Sequence, residues 1–528
     1  MRILAFKIFL PRQVSVVRGA RLAIIAALAI CALTLNLAAQ ESSQTDPKKL
    51  IKEAAKLTRS GKLVLAESLL RQAVGIDNTR TDTKVELAYV LTKQRRLGEA
   101  YALVSAIVQS DSKNSRALSV LGATMLTGGR FREARLCFFS AIKQNRREHL
   151  AWAGYGMLDF YENKISDSVE NLREAVYYAP DEPDYLFALA QVSARAEKYK
   201  EAADAYRDFL NVSNSADSDR RERIKGLINF LRYLGRAGSL YSTDGSEQTS
   251  VPFELVGNRP IIQIKINDID EPLRFVLDTG SGISVVSEKT AKRLKIKSIT
   301  KGGFARGIGG NGKFEIVYGL LRKVSVGDVS LRQVPVYIRK FHSDTREVDG
   351  YIGLALISKF LTTIDYGNLT FSLTRKDEDT KEFRDNITGL SLPLRLTSSG
   401  FLSGEVQLQG VESPLNFIVD TGASVSVISD EVAKEDGIIP FLGDEKLQVI
   451  GSAGVTNDVQ TYKLPRVTFG SHSRKDITAV ALDLDLINEA SGFEQSGILG
   501  GNFLKNYRLT FDFKNSKVTF VSVRPEND

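Results

Sequence analysis

Phe275-Val276-Leu277-Asp278-Thr279-Gly280 is a short apolar run that ends in a carboxylate, a hydroxyl and a glycine. Phe417-Ile418-Val419-Asp420-Thr421-Gly422 repeats it 142 residues later. The match extends without a gap from Pro272 and Pro414 through Val285-Val286-Ser287 and Val427-Ile428-Ser429. Thirty residues beyond each aspartate stands an Ile-Gly pair, Ile308-Gly309 and Ile450-Gly451. Gly350-Tyr351-Ile352-Gly353 then answers to Gly497-Ile498-Leu499-Gly500, and Thr363-Ile364-Asp365-Tyr366 to Thr510-Phe511-Asp512-Phe513. Landmarks in the same order, twice, mark a duplicated unit and predict that Asp278 and Asp420 meet across an internal two-fold axis.

Around these landmarks the hydrophobic period is 2. Ile262, Ile264 and Ile266 alternate with polar residues, as in a half-buried strand, and short strands with glycine turns continue to the end. Two all-β lobes are expected over 251–378 and 388–528. The Asp-Thr-Gly-Ser of 278–281, the Asp-Thr-Gly-Ala of 420–423 and the apolar-Gly pairs Ile352-Gly353 and Leu499-Gly500 resemble the lobes of retropepsin-type aspartic proteases.

The resemblance implies a pepsin-like pseudo-dimer in one chain, each lobe with its own flap. It implies an aspartic endopeptidase in which Asp278 and Asp420 share one proton around a water, because two carboxylates so close cannot both ionise. Thr279 and Thr421 would hydrogen-bond across the lobe interface. Gly280 and Gly422 would let the backbone approach the carboxylates. Ser281 has a hydroxyl able to reach its carboxylate and Ala423 has none, so the two halves are expected to differ. The flap tips would be Ile308, Gly309 and Gly310 in the first lobe and Ile450, Gly451 and Ser452 in the second. Asp365 and Asp512 lack the Thr-Gly context and read as structural. The alternative is a non-catalytic scaffold that binds peptide or protein through a protease-like fold. An active pair formed between two chains is a third reading.

Gly307-Ile308-Gly309-Gly310-Asn311-Gly312 also fits a dinucleotide fingerprint, which needs a helix after it. Lys313-Phe314-Glu315-Ile316-Val317-Tyr318 reads instead as a strand, so a flap hairpin is expected.

Upstream the period becomes 34. Ala66, Ala100, Ala134, Ser168 and Ala202 recur at that spacing, as do Ala54, Ala88, Gly122, Gly156 and Ala190. Small residues recur where two helices cross closely. Leu121-Gly122, Ala134, Phe138, Ala141, Trp152, Tyr155-Gly156, Ala175 and Pro180 resemble the tetratricopeptide repeat family. An α-solenoid over 47–236, closed by a cap helix, is expected to recruit a protein partner or substrate, or to serve only as a scaffold. Residues 237–250, rich in Gly, Ser and Thr, read as a flexible linker.

Five basic residues, Arg2, Lys7, Arg12, Arg18 and Arg21, precede the uncharged run 22–39. This pattern predicts a secretory signal peptide within 1–39 or a retained membrane anchor, with a buried helix as the bland reading, and so an exported, periplasmic or extracellular protein. Without those five the formal charge of +8 shrinks to about +3, too weak to argue for nucleic acid. Cys31 and Cys137 are the only cysteines. His149, His342 and His472 are scattered and match no metal spacing, so neither a cofactor nor a metal is expected.

Overall fold

The computed structural model describes residues 46–213, 218–310, 312–341, 348–375 and 389–524. The signal or anchor expected within 1–39 lies outside them, as do the ends proposed for the lobes at 378, 388 and 528. No helix of the described residues is long and apolar enough to cross a membrane.

The 34-residue period becomes five helical hairpins. Their first helices are Pro47–Arg59, Thr81–Lys93, Ser115–Thr127, His149–Tyr161 and Pro183–Arg195. Their second helices are Leu63–Ile76, Leu97–Ser110, Phe131–Gln144, Ile165–Tyr178 and Tyr199–Val212. The recurring alanines 54, 66, 88, 100, 134, 190 and 202 are all buried. At Gly122 a methyl group would fall 2.7 Å from the Phe138 ring, which is why a small residue stands there. Gly61, Arg95, Gly129, Asn163 and Glu197, again 34 apart, turn each hairpin in the left-handed region, with φ between +59° and +76°.

Four of these turns, at 95, 129, 163 and 197, dock on the β-rich half. Arg95 Nη1 donates to Asn488 O (3.4 Å), and Asn163 Nδ2 donates to Phe513 O (3.0 Å). Glu197 pairs with Lys359. Phe493 is inserted into the solenoid core with its ring 4.9 Å from that of Phe131 and 5.0 Å from that of Tyr161. Burial of so large a ring in the other domain's core makes the solenoid an integral wall of the molecule rather than a loose appendage.

The stretch 237–250 is correspondingly not a flexible joint. Ser242–Gly245 pairs with the strand Val329–Arg339, and Gln248–Pro252 pairs with Thr370–Thr374. The expectation failed because polar, turn-rich composition does not reveal a ladder whose partners lie far along the chain.

Each lobe is a mostly antiparallel sheet, and a third sheet joins them. That six-stranded sheet runs Leu390–Pro393, Lys517–Ser522, Tyr507–Asp512, Leu361–Asp365, Thr370–Thr374, Gln248–Pro252. At its centre Leu361–Asp365 of one lobe pairs antiparallel with Tyr507–Asp512 of the other, and the Thr363 and Thr510 hydroxyls meet at 3.0 Å. Asp365 accepts from the N–H groups of Gly367 and Asn368, and Asp512 from those of Lys514 and Asn515. Both carboxylates hold hairpin turns, the structural role read from their context.

The solenoid also grips one flap. The cap helix Ser218–Leu234 lies along the flap strand Ser298–Arg306. Phe230 stacks on Tyr318 at 4.4 Å, and Arg223 Nη1 donates to Phe304 O (3.5 Å). A Cβ on Gly226 would stand 2.2 Å from Lys301 O. Gly226→Leu is expected to lift the helix off this flap. Overpacking of that kind costs about 1–3 kcal/mol, so amide exchange over 299–304 should speed by about tenfold or more while the opposite flap stays unchanged.

Candidate active site

Asp278 and Asp420 sit at the ends of the strands Leu273–Leu277 and Leu415–Val419. Each strand is fully apolar on its inner face and delivers its carboxylate to the centre of the interface. Beside each runs a short parallel strand, Gly350–Ile352 or Gly497–Leu499. Asp278 N–H donates to Ile352 O and Asp420 N–H to Leu499 O, both at 3.0 Å. The following glycines are pinned by hydroxyls: Gly353 N–H donates to Ser284 Oγ and Gly500 N–H to Ser426 Oγ, both at 3.1 Å. Ser284 and Ser426 had no role in the sequence reading. Their signal was the equal offset of six residues from each aspartate.

The threonines lock the two loops. Thr279 Oγ1 donates to Val419 O (2.6 Å) and accepts from Thr421 N–H (3.0 Å). Thr421 Oγ1 donates to Leu277 O (2.7 Å) and accepts from Thr279 N–H (3.2 Å). Both side chains have 0% exposure, so four bonds close a ring in a dry interface.

This ring brings the carboxyls of Asp278 and Asp420 within hydrogen-bonding reach in one chain. A Cβ on Gly280 would lie 2.4 Å from the Asp420 carboxyl carbon, and one on Gly422 would lie 2.8 Å from that of Asp278. No other residue fits at either place. Burial pushes Asp278 well above the usual carboxylate range, helped by the charge of Asp420 and opposed by Arg339. Burial also raises Asp420, but the N–H groups of Gly422, Gly280 and Ala423 and a hydrogen bond from Asp278 pull it back. Gly422 N–H donates to Asp420 Oδ1 at 2.7 Å. Both carboxyls are thus raised together and share one proton, and the pair titrates as a unit. Both residues remain partly accessible to water.

The inequivalence does not come from Ser281. Its hydroxyl donates to Ile283 O (2.8 Å), closing its own turn instead of reaching the carboxylate. Ala423 packs on the apolar cluster of the second lobe.

The glycine-rich segment 307–312 joins Ser298–Arg306 to the strand Lys313–Val326, and 451–454 joins Leu442–Ile450 to Val455–Phe469. A strand, not a helix, follows the dinucleotide-like motif. The two tips meet, Ala453 N–H donating to Ile308 O at 2.9 Å, with Gly309, Gly310 and Gly451 packed in the contact and Ile450 exposed on the hairpin beside it. Ser452 O accepts from Arg339 Nη1 (2.7 Å). Arg339, whose guanidinium lies over the Tyr351 ring, therefore belongs to the site, although nothing in its sequence context marks it.

Residues 262–356 and 404–503 both match the aspartyl protease family model. The two matched stretches fall one in each β lobe and include Asp278 and Asp420. Aspartic proteinase from Irpex lacteus is similar at 12% identity, with a TM-score of 0.35, over 52% of this chain and 97% of that one. A thermophilic TPR protein of Thermus thermophilus is similar at 17% identity and a TM-score of 0.30, over 34% of this chain and 98% of its own. Pseudomonas aeruginosa PilF is similar at 18% identity and a TM-score of 0.28, over 36% of this chain and 86% of its own. No curated protein matches the sequence. The stretches that match the aspartyl protease model carry the site, and the helical solenoid forms the wall beside it.

Proposed function

We propose that the protein is an aspartic endopeptidase with a single active site made by Asp278 and Asp420. The observation that carries this reading is the ring of threonine bonds, which sets two inequivalent carboxyls against each other beneath two closed flaps. A water between them gives its proton to the charged carboxyl of the pair as its oxygen attacks the peptide carbonyl carbon. The protonated carboxyl of the pair gives its proton to the carbonyl oxygen. As the tetrahedral diol collapses and the C–N bond breaks, the amine takes a proton from one carboxyl and a diol hydroxyl gives its proton to the other, which restores the pair with its single shared proton. Burial strengthens each of these interactions, and fixed geometry spares the entropy of assembling them.

The solenoid presents a protein partner or substrate to the cleft. Its hairpin turns are committed to the lobes, so it also acts as a scaffold for the protease. Residues 22–39 export the chain as a signal or hold it as an anchor, which places the activity outside the cytoplasm.

Incubation with an unfolded protein in ¹⁸O-labelled water tests the reading. New C-termini carrying one heavy oxygen, with no acyl-enzyme detectable, are the expected result. Peptide that binds in the cleft and is never cut identifies the scaffold instead.

A further inference from the structure

The two lobes repeat each other, yet the walls they offer to the cleft do not. In the first lobe Ser287 pairs with Arg339, and in the second Ser429 pairs with Leu482. The duplication thus places a guanidinium opposite a leucine. Tyr351 likewise stands where the second lobe has Ile498. Leu482 and Ile498 lie in one apolar cluster with Leu484 and Ile487, against which Ile308 of the first flap tip and Ala423 beside the aspartates pack.

Arg339 has a different setting. Its guanidinium lies over the rings of Phe314 (5.0 Å), Phe341 (5.3 Å) and Tyr351 (5.9 Å). Its Nη1 donates to Ser452 O at the tip of the second flap, and no carboxylate pairs with it among the described residues. Its charge reaches Asp278. Arg259, on the same wall, acts on Tyr351 and has a buried Nε with no hydrogen-bond partner. Rings that fix the plane of a guanidinium leave its N–H edge ready for a carboxylate, the group it binds best.

We infer that Arg339 determines specificity: the first lobe takes an acidic side chain of the substrate next to the cut, and the second lobe takes an apolar one. This rests on the protease reading above and names its substrate class.

Mass-spectrometric mapping of cuts in a proteome-derived peptide library tests it with the full chain. The wild type is expected to favour Glu and Asp over Gln and Asn at one position near the cut by about tenfold or more, the worth of a charge-assisted hydrogen bond. Arg339→Leu copies the residue of the second lobe, so the fold should accept it; among the cuts it makes, at whatever rate, the ratio of acidic to amide residues should fall to about one. Arg339→Glu should shift the preference to Lys and Arg. Cutting without an acidic preference, or a preference that survives in Arg339→Leu, overturns the inference and leaves the protease reading intact. A wild type that cuts nothing overturns both.

Discussion

Asp278→Asn and Asp420→Asn are each expected to give a folded protein that no longer cleaves peptide, with a fall of at least about 10²–10⁴-fold, the contribution of positioned acid and base groups. The same substitutions should make the protein more stable near neutral pH. A carboxyl whose pKa rises on folding binds its proton more tightly in the folded state. As pH climbs from the ordinary value of 3.8 towards the raised folded value, the unfolded chain loses its proton first and stability falls. Asp278→Asn carries no such charge. It should melt at the same temperature as the wild type at about pH 3 and higher at about pH 8, by differential scanning calorimetry. Activity should follow a bell in pH, rising as the pair loses its first proton and falling as it loses its second. Gain of stability with loss of function separates a catalytic pair from a structural one, because losing a structural carboxylate would cost stability.

Thr421→Val is the second large effect. Valine keeps the shape, so no cavity forms. It leaves Leu277 O without its donor and Thr279 N–H without its acceptor, both in a fully buried interface. Each orphaned group costs about 1–3 kcal/mol, which puts the loss at roughly 2–6 kcal/mol by denaturant unfolding. Activity should fall further than stability, since the same bonds hold the carboxyls together. Thr421→Ser keeps the hydroxyl and should restore most of both. Thr279→Val should behave alike, and the double variant should lose less than the two losses combined, because the four bonds form one ring.

Much of this site was legible because it is written twice. Asp278-Thr279-Gly280 and Asp420-Thr421-Gly422, the apolar-Gly pairs and the flap glycines are local strings with matched offsets, and a duplication exposes them without any structure. The 34-residue spacing of alanines exposed the solenoid in the same way. What stayed hidden depends on contacts between distant segments. Residues 248–250 looked like linker because the partner of their strand Gln248–Pro252, Thr370–Thr374, lies more than a hundred residues on. The grip of the cap helix on the first flap follows from Gly226 and Phe230, whose sequence context is that of any amphipathic helix. Ser281 was expected to reach a carboxylate, but the tight turn brings Ile283 O closer to its hydroxyl. Arg339 was missed because a departure from symmetry shows only once the strand registers place it and Leu482 at equivalent positions of the two lobes.

The central claim is that Asp278 and Asp420 of the same chain form one hydrolytic pair. Mixing Asp278→Asn with Asp420→Asn at equal concentration, and following peptide cleavage beside the wild type, tests it most directly. The expected result is cleavage by the wild type and none by either variant or by their mixture. Cleavage restored in the mixture would place the pair between chains. Cleavage by either variant alone would contradict the shared pair altogether.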